Sequence, residues 1–477
     1  MDFGFVGGAY EAPSVTQDAQ ELVNWFCEVD KTKQPGERGV VALYPTPGLV
    51  NKVQPAVAEV RALYTLPGGQ TLLAIVGNTL YSIDSSFAAT ARGTIASSSG
   101  PLNITTNGLI AYFSDISNRY YYTIATGVLT TVAGTDGAFA GGGRVDVVDN
   151  FIIYPRPKSQ QWGSTSALSP NSPALSFSSK DGAPDNLVAP FVTSRQVYLL
   201  GEQTGEVWTN GGLFPFPFQR IPGTSFQHGL AAPYSLSRLG NSFAYLSKDD
   251  RGQGIVVYMD GYNPTQISTH AVTNDIKDDV ISDAIAFTYH IEGHEFYVLT
   301  LPTADKTWVY DLSTQLWHKW RWCDQFNVYH RHRANCSAVF QGVVLVGDYE
   351  NGKIYQVSNT FYTDDGIRIR RMRRAPHITS DMNLVYFTRL QLQFQPGVGL
   401  STGQGSNPQA MLRLSNDGGN TYGAERWATI GQIGEYKNRV IWRRLGVARD
   451  RVFEVVVTDP IKAVIVSANL VVNAANN

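Results

Sequence analysis

Cysteine is nearly absent from this sequence. Cys27, Cys323 and Cys336 are three in 477 residues, odd in number and widely spread, which is no disulfide framework. The opening stretch MDFGFVGGAY has no basic segment and no apolar core, so no signal peptide is expected. No run of about 18 apolar residues occurs, which argues against a membrane-spanning helix. The expectation is a protein that folds in a reducing cytoplasm and makes no membrane contact. Charge is also scarce, at 16% of residues, against a usual ~25%. The net charge of −2 makes the whole chain no simple polyanion binder. The motifs G-x-S-x-G, H-E-x-x-H and the P-loop are missing, so no enzyme is expected. Asp278, Asp279 and Asp283 cluster as a solvated turn before a strand, and Cys27 has no recognisable activating partner. Helical periodicity is scarce too. Its best candidate is TQDAQELVNWF, with Thr16 as N-cap and Leu22, Val23 and Phe26 as a short apolar face; an extended arm suits the same residues.

What the chain has in abundance is glycine (45), tyrosine (24) and short β-branched or aromatic runs. From about Val57 a loose unit recurs: strand, turn, strand ending in Tyr or Trp, turn. LLAIVGNTLYSID, QVYLLGEQTGEVWTNGG and VVLVGDYENGKIYQVS are instances. The spacing suits the blades of a β-propeller, about six or seven of them. Past His377, alternating strands such as NLVYFTRLQLQF and VFEVVVTD suggest a β-sandwich. The expected class is therefore all-β: an N-terminal arm over 1–55, a β-propeller over 56–362, an Arg-rich linker over 363–376 and a β-sandwich over 377–477.

Three stretches carry side chains that invite a functional reading. VYDLSTQLWHKWRW crowds Trp317, Trp320 and Trp322 behind a turn signal. As consecutive blade strands it places Trp320 and Trp322 on one face and Trp317 with Lys319 on the other. Aromatic core is the expectation, with base stacking or sugar binding as the rivals. SNDGGNTYG, Ser415 to Gly423, reads as an Asp-stabilised hairpin turn. Cys323, His330, His332 and Cys336 are zinc ligand types, but they lack the paired C-x2-C knuckle, and His290 and His294 lack a third ligand. No metal or other cofactor is expected.

RIRRMRR places Arg368, Arg370, Arg371, Arg373 and Arg374 within seven residues. If extended, Arg371 and Arg373 point opposite to Arg368 and Arg370. Charge is uneven around it. Residues 366–477 hold 15 Lys+Arg against 7 Asp+Glu, and the remainder 23 against 33. The expectation is that the run pairs with carboxylates of its own chain or of an adjacent subunit, as an inter-domain or subunit contact. Nucleic-acid contact is the rival.

Three segments resemble the packaged-DNA stabilisation, or tail hub (tail accessory factor), proteins of short-tailed (podovirus) bacteriophages. They are GHEFYVLTLPTADKTWVYDLSTQLWHKW, LSNDGGNTYGAERWATIGQIGEYKNRVIWRRLGVARDRVFEVVVT, and the early LVNWFCEVD with YPTPGLV. The resemblance covers most of the chain from residue 20 onward and is sparse from about Leu80 to Pro190. It implies a structural protein of the virion tail, assembled in the host cytoplasm. It further implies a ring of copies, a hexamer, below the portal and its adaptor ring. That ring would close the DNA exit channel with a tail needle or plug, meet a tailspike or tail fibre, and let genomic DNA pass without sequence-specific binding. The rival from another class is a propeller glycan-binding protein or glycosidase. That would need arginines and carboxylates converging at a propeller mouth, and no such arginine triad is visible within the repeats.

Overall fold

The structure is a computed structural model that describes residues 3–33, 39–381 and 383–474. It is almost wholly β. Seven antiparallel blades of four strands each form among the described residues, five as separate sheets and two continuing into longer ones. Six are continuous in sequence, over 60–94, 105–131, 146–179, 187–220, 237–266 and 285–319. The seventh takes three strands from 334–358 and its fourth, Gly48–Val53, from near the N-terminus. The early strand thus closes the circle, with Leu49 opposite Val357 and Asn51 opposite Tyr355. Gly48 opens this strand under the carbonyls of Phe361 and Thr363, where a Cβ would come within 2.6 Å of both oxygens.

Burial explains the blade pattern. In the first blade Thr71–Val76 is covered on both faces and reads as an unbroken apolar run, whereas the outer strand Ala89–Thr94 is largely exposed. Each neighbouring pair of blades shares one apolar cluster. Leu73 and Phe113 bridge blades one and two, and Tyr112 and Ile152 bridge two and three. Trp162 and Trp208 bridge three and four; Tyr198 and Phe243 bridge four and five. Leu246 and Tyr297 bridge five and six, Phe296 and Val346 bridge six and seven, and Leu345 with Leu72 returns to blade one. A closed series of such contacts is a propeller.

The sandwich packs one sheet, Trp25–Val29, Val41–Pro45, Ile465–Ala474, Val385–Phe394 and Val440–Ala448, over another. The second contains Glu21–Val23, Arg371–Arg374, Asp450–Val457, Gln409–Ser415 and Arg426–Thr429. Trp25, Leu43, Phe387, Leu390, Trp442 and Phe453 fill the space between them.

Four local expectations are corrected. The helix candidate is strand instead: Glu21–Val23 and Trp25–Val29 join opposite sheets of the sandwich, and Asn24 between them takes a left-handed φ of 57°. The α-helix that does form among the described residues, His270–Asp275, is capped by Thr269 and lies between blades five and six. Segment 1–55 is not a separate arm, because its strands complete both domains. Residues 371–374 are not linker. Paired with Glu21–Val23 on one side and Asp450–Val457 on the other, they form an interior strand of the sandwich. Finally, QLWHKWRW breaks at Trp320. Leu316–Lys319 belongs to blade six, while Arg321–Cys323 pairs with Tyr329–Arg331 in a separate hairpin. The QPGERG turn falls largely outside the described residues.

Candidate functional site

The junction between propeller and sandwich is where the predicted arginines lie. Blade six and the sandwich share a sheet there, through the parallel pairing of Val23 with Lys319. Asn24 stitches three segments together. Its Nδ2 donates to the carbonyls of Arg321 and Arg370, both at 2.9 Å, and its Oδ1 accepts the Arg321 amide at 2.8 Å. Lys319 reaches Glu11 and lies 3.7 Å from Glu21, so the first residues of the chain are held against blade six. His294 adds a second tie. Its Nδ1 meets Asp311 at 2.8 Å and its Nε2 meets Glu28, on the sandwich strand, at 2.6 Å. Burial opposes a charge on this ring, but the two carboxylates prevail and raise its pKa.

Alternation along the strand sorts the arginine run. Arg371 and Arg373 are both 0% exposed. Arg373 gathers backbone carbonyls: Nε donates to Phe5 at 2.8 Å, and Nη2 to Gly4 at 3.2 Å, to Gly8 at 3.5 Å and to the Gln20 side chain at 2.8 Å. Arg371 donates to the carbonyls of Asp459 and Tyr362, both at 3.3 Å, which joins the sandwich to the end of the propeller. Burial pushes Arg371 down to about 10 and nearby Asp364 up to about 7, each toward its neutral form, while their attraction opposes both shifts. The guanidinium still stays charged at neutral pH, and with no carboxylate bonded to it its charge is met by backbone oxygens.

Arg374 does pair with carboxylates, at 2.8 Å from both Glu454 and Glu21. Arg370 lies over the Tyr329 ring at 5.0 Å. Arg368 is partly exposed, donates to Asn327 at 2.7 Å, and adjoins the hairpin tip where Phe326 is 76% exposed. So the run is a buried clamp with one outward end. Carboxylate pairing holds for Arg374 rather than for the run as a whole. No signal in the sequence distinguished the two buried arginines from the others except their alternation.

The other candidates also have places. Trp317 is buried between blades five and six, donating to the Ile267 carbonyl at 2.8 Å. Trp320 is buried between blades six and seven. Trp322 is half-buried under the Arg333 guanidinium at 3.9 Å. Because the strand breaks, Trp320 and Trp322 do not share a face. In the SNDGGNTYG turn Asp417 accepts from the Thr421 amide at 2.9 Å and from its hydroxyl at 2.6 Å, locking the hairpin. Cys323, His330, His332 and Cys336 lie on separate elements. His330 meets Asp305 at 2.8 Å, and Cys336 leans on the Val60 carbonyl. Among the described residues no three His, Cys, Asp or Glu side chains converge as a metal site.

Sequence reasoning missed the propeller axis. A cavity of about 460 Å³ is lined there by the first strands of the blades, and Arg61, Arg144 and Arg238 enter it with Asp146. Arginines do converge within the repeats, contrary to expectation. They come from blades one and five and from the start of blade three, and no local spacing links them.

Two family models match the chain. One described as Bacteriophage P22 Gp10, beta-propeller covers residues 42–362, and one described as Bacteriophage P22 Gp10, beta-sandwich covers residues 370–473. No curated protein matches the chain in sequence. Similar solved structures include the WD40 β-propeller domain of Doa1, at 10% identity over 66% of this chain and 96% of that one, with a TM-score of 0.39. The N-terminal domain of Nup159 follows at 11% identity, 70% and 98% coverage and a TM-score of 0.42. The Neurospora crassa Pan2 WD40 domain has 10% identity, 66% and 95% coverage and a TM-score of 0.43.

Proposed function

The chain belongs to the bacteriophage P22 Gp10 family of tail hub and DNA stabilisation proteins, and from that premise we propose that it acts as a ring-forming nozzle of the virion tail. In this reading several copies, a hexamer, assemble below the portal and its adaptor ring after folding in the host cytoplasm. They close the DNA exit channel around a needle or plug and offer a docking face for tailspikes or fibres. The work is mechanical, and no catalytic step is proposed.

The observation that carries the reading is that both family matches fall in order on one chain, propeller then sandwich, and meet at the clamped junction. A ring needs head-to-tail contacts that close. It also needs a fixed angle between the two domains of each copy, so that the angle between neighbours repeats. The shared sheet at Val23 and Lys319, with Asn24 and Arg371 bridging the same seam, supplies that fixed angle. The basic C-terminal portion and the acidic remainder favour heterologous contact between neighbours.

The experiment is a phage lacking this gene. Its heads should package DNA and then lose it, and purified protein added to such heads should restore retention. Heads that keep their genome without the protein would reject the reading.

A further inference from the structure

The cavity on the propeller axis holds more positive charge than the fold uses. Arg61 is spent: its donors go to the carbonyls of Gly100 at 2.6 Å, Gly77 at 3.0 Å, Ser97 at 2.8 Å and Ser99 at 2.8 Å, and to the Ser97 hydroxyl at 2.9 Å. Its charge also lies near Glu59, which accepts the Gly100 amide at 3.1 Å. Arg144 and Arg238 differ. Arg144 makes one long bond, 3.4 Å to the Pro233 carbonyl, and its buried Nε has no partner. Arg238 gives one bond of 2.8 Å to the Val192 carbonyl and is otherwise exposed at the cavity mouth. The two guanidiniums lie 5.9 and 5.4 Å from the centre of one ring, Phe191.

The nearby acid, Asp146, acts on both only through space. Asp146 turns its oxygens to the backbone amides of Val147 and Val192, each at 2.8 Å, and no hydrogen bond joins it to either arginine. Two guanidiniums therefore face one carboxylate, and a single positive charge is left over. A buried donor without a partner is costly, and an anion or water reaching it through the cavity would satisfy it.

We propose that this cavity binds a small organic carboxylate, gripped by Arg144 and Arg238, with its carbon body against Tyr64, Tyr234 and Phe287. One surplus charge matches one carboxylate, whose two oxygens suit the guanidinium fork. A phosphate dianion would bring excess negative charge beside Asp146. The volume is within the ~300–1,000 Å³ of ligand pockets. A sugar acid and the carboxyl end of a peptide share this chemistry.

The test is calorimetric titration of the full-length chain with sodium glucuronate, N-acetylglycine and inorganic phosphate. The expected result is one site per chain for at least one of the two carboxylates, and weaker binding of phosphate. A preference for glucuronate assigns a sugar acid, and a preference for N-acetylglycine assigns a peptide end. Arg238→Gln, at the exposed mouth, should weaken binding about 10-fold or more, as expected for one lost charge-assisted bond, while the ligand-free protein still folds and melts in one cooperative transition. Arg144→Gln should remove binding; if that variant does not fold, Arg238→Gln alone decides. No binding of either carboxylate at ~10 mM, binding unchanged in Arg238→Gln, or phosphate bound more tightly than both would overturn the proposal.

Discussion

Asn24 holds Arg370 across 346 residues of sequence, its side-chain amide donating to the Arg370 carbonyl at 2.9 Å. The same side chain brackets Arg321, and its backbone takes a left-handed turn that asparagine tolerates better than most residues. Asn24→Ala should lower stability by about 3 kcal/mol or more, from stranded buried partners plus a strained turn. Asn24→Gly should recover about 1 kcal/mol of that, the backbone share alone. Denaturant midpoints give both numbers. Equal midpoints for wild type and Asn24→Ala would mean that the seam is held elsewhere.

Arg373 should anchor the start of the chain. Arg373→Met strands the carbonyls of Gly4, Phe5 and Gly8, so amides before residue 20 should exchange with solvent faster and proteases should cut there. Arg368→Ser should leave that segment protected. With Arg373 fully buried, Arg373→Met should not change duplex DNA binding. Strong low-salt DNA binding lost in Arg373→Met, with the fold intact, would contradict this.

Trp320 and Trp322 should separate in effect. Trp320→Ala removes a ring that is 1% exposed between two blades and should cost about 3–5 kcal/mol. Trp322→Ala removes a half-buried ring beneath Arg333 and should cost about 1 kcal/mol, in the range for an exposed cation–π pair. A fully stable Trp320→Ala protein would make the aromatic run a binding surface.

Acid should be felt through two buried histidines. His318 has no partner for either ring nitrogen, and His332 accepts the Ala334 amide at 3.2 Å through Nδ1. Burial pushes both pKa values down to about 4 from 6.5. Each is neutral when folded but takes a proton when unfolded, so stability is full above pH 6.5 and falls as pH drops toward 4. The loss approaches ~3 kcal/mol per ring. His294 has the opposite sign: its raised pKa gives stability that is present below 6.5 and lost as pH rises through the folded value. Asp364, raised to about 7, also loses stability as pH rises from about 4, so differences between variants are the readout rather than the wild-type curve. His318→Leu should flatten the acid limb, and His294→Gln should flatten the alkaline decline. An acid limb unchanged in His318→Leu would refute the assignment.

Strand-and-turn periodicity was enough to read the propeller and the sandwich, because each blade folds from neighbouring residues whose alternation is local. Closure was not legible. Gly48–Val53 finds its partner at Ile354–Ser358 through long-range pairing that no short window reports. The helical reading near Thr16 failed because an apolar triplet fits either period, and pairing with Arg371–Arg374 and Val41–Pro45 decided it. The alternation of Arg371 and Arg373 was legible, but their partners were not: the carbonyls of Tyr362 and Asp459 for Arg371, and those of Gly4, Phe5 and Gly8 for Arg373. Arg144 and Arg238 meet because the propeller is circular, a geometry that spacing along the chain does not encode.

The central claim is a ring built around the exit channel, and a reconstruction of the tail in intact virions tests it most directly. The account predicts several copies, six for a hexamer, arranged symmetrically about the channel axis below the adaptor, with neighbouring copies in head-to-tail contact. A single copy on the axis, or a tail without density for this fold, would contradict it.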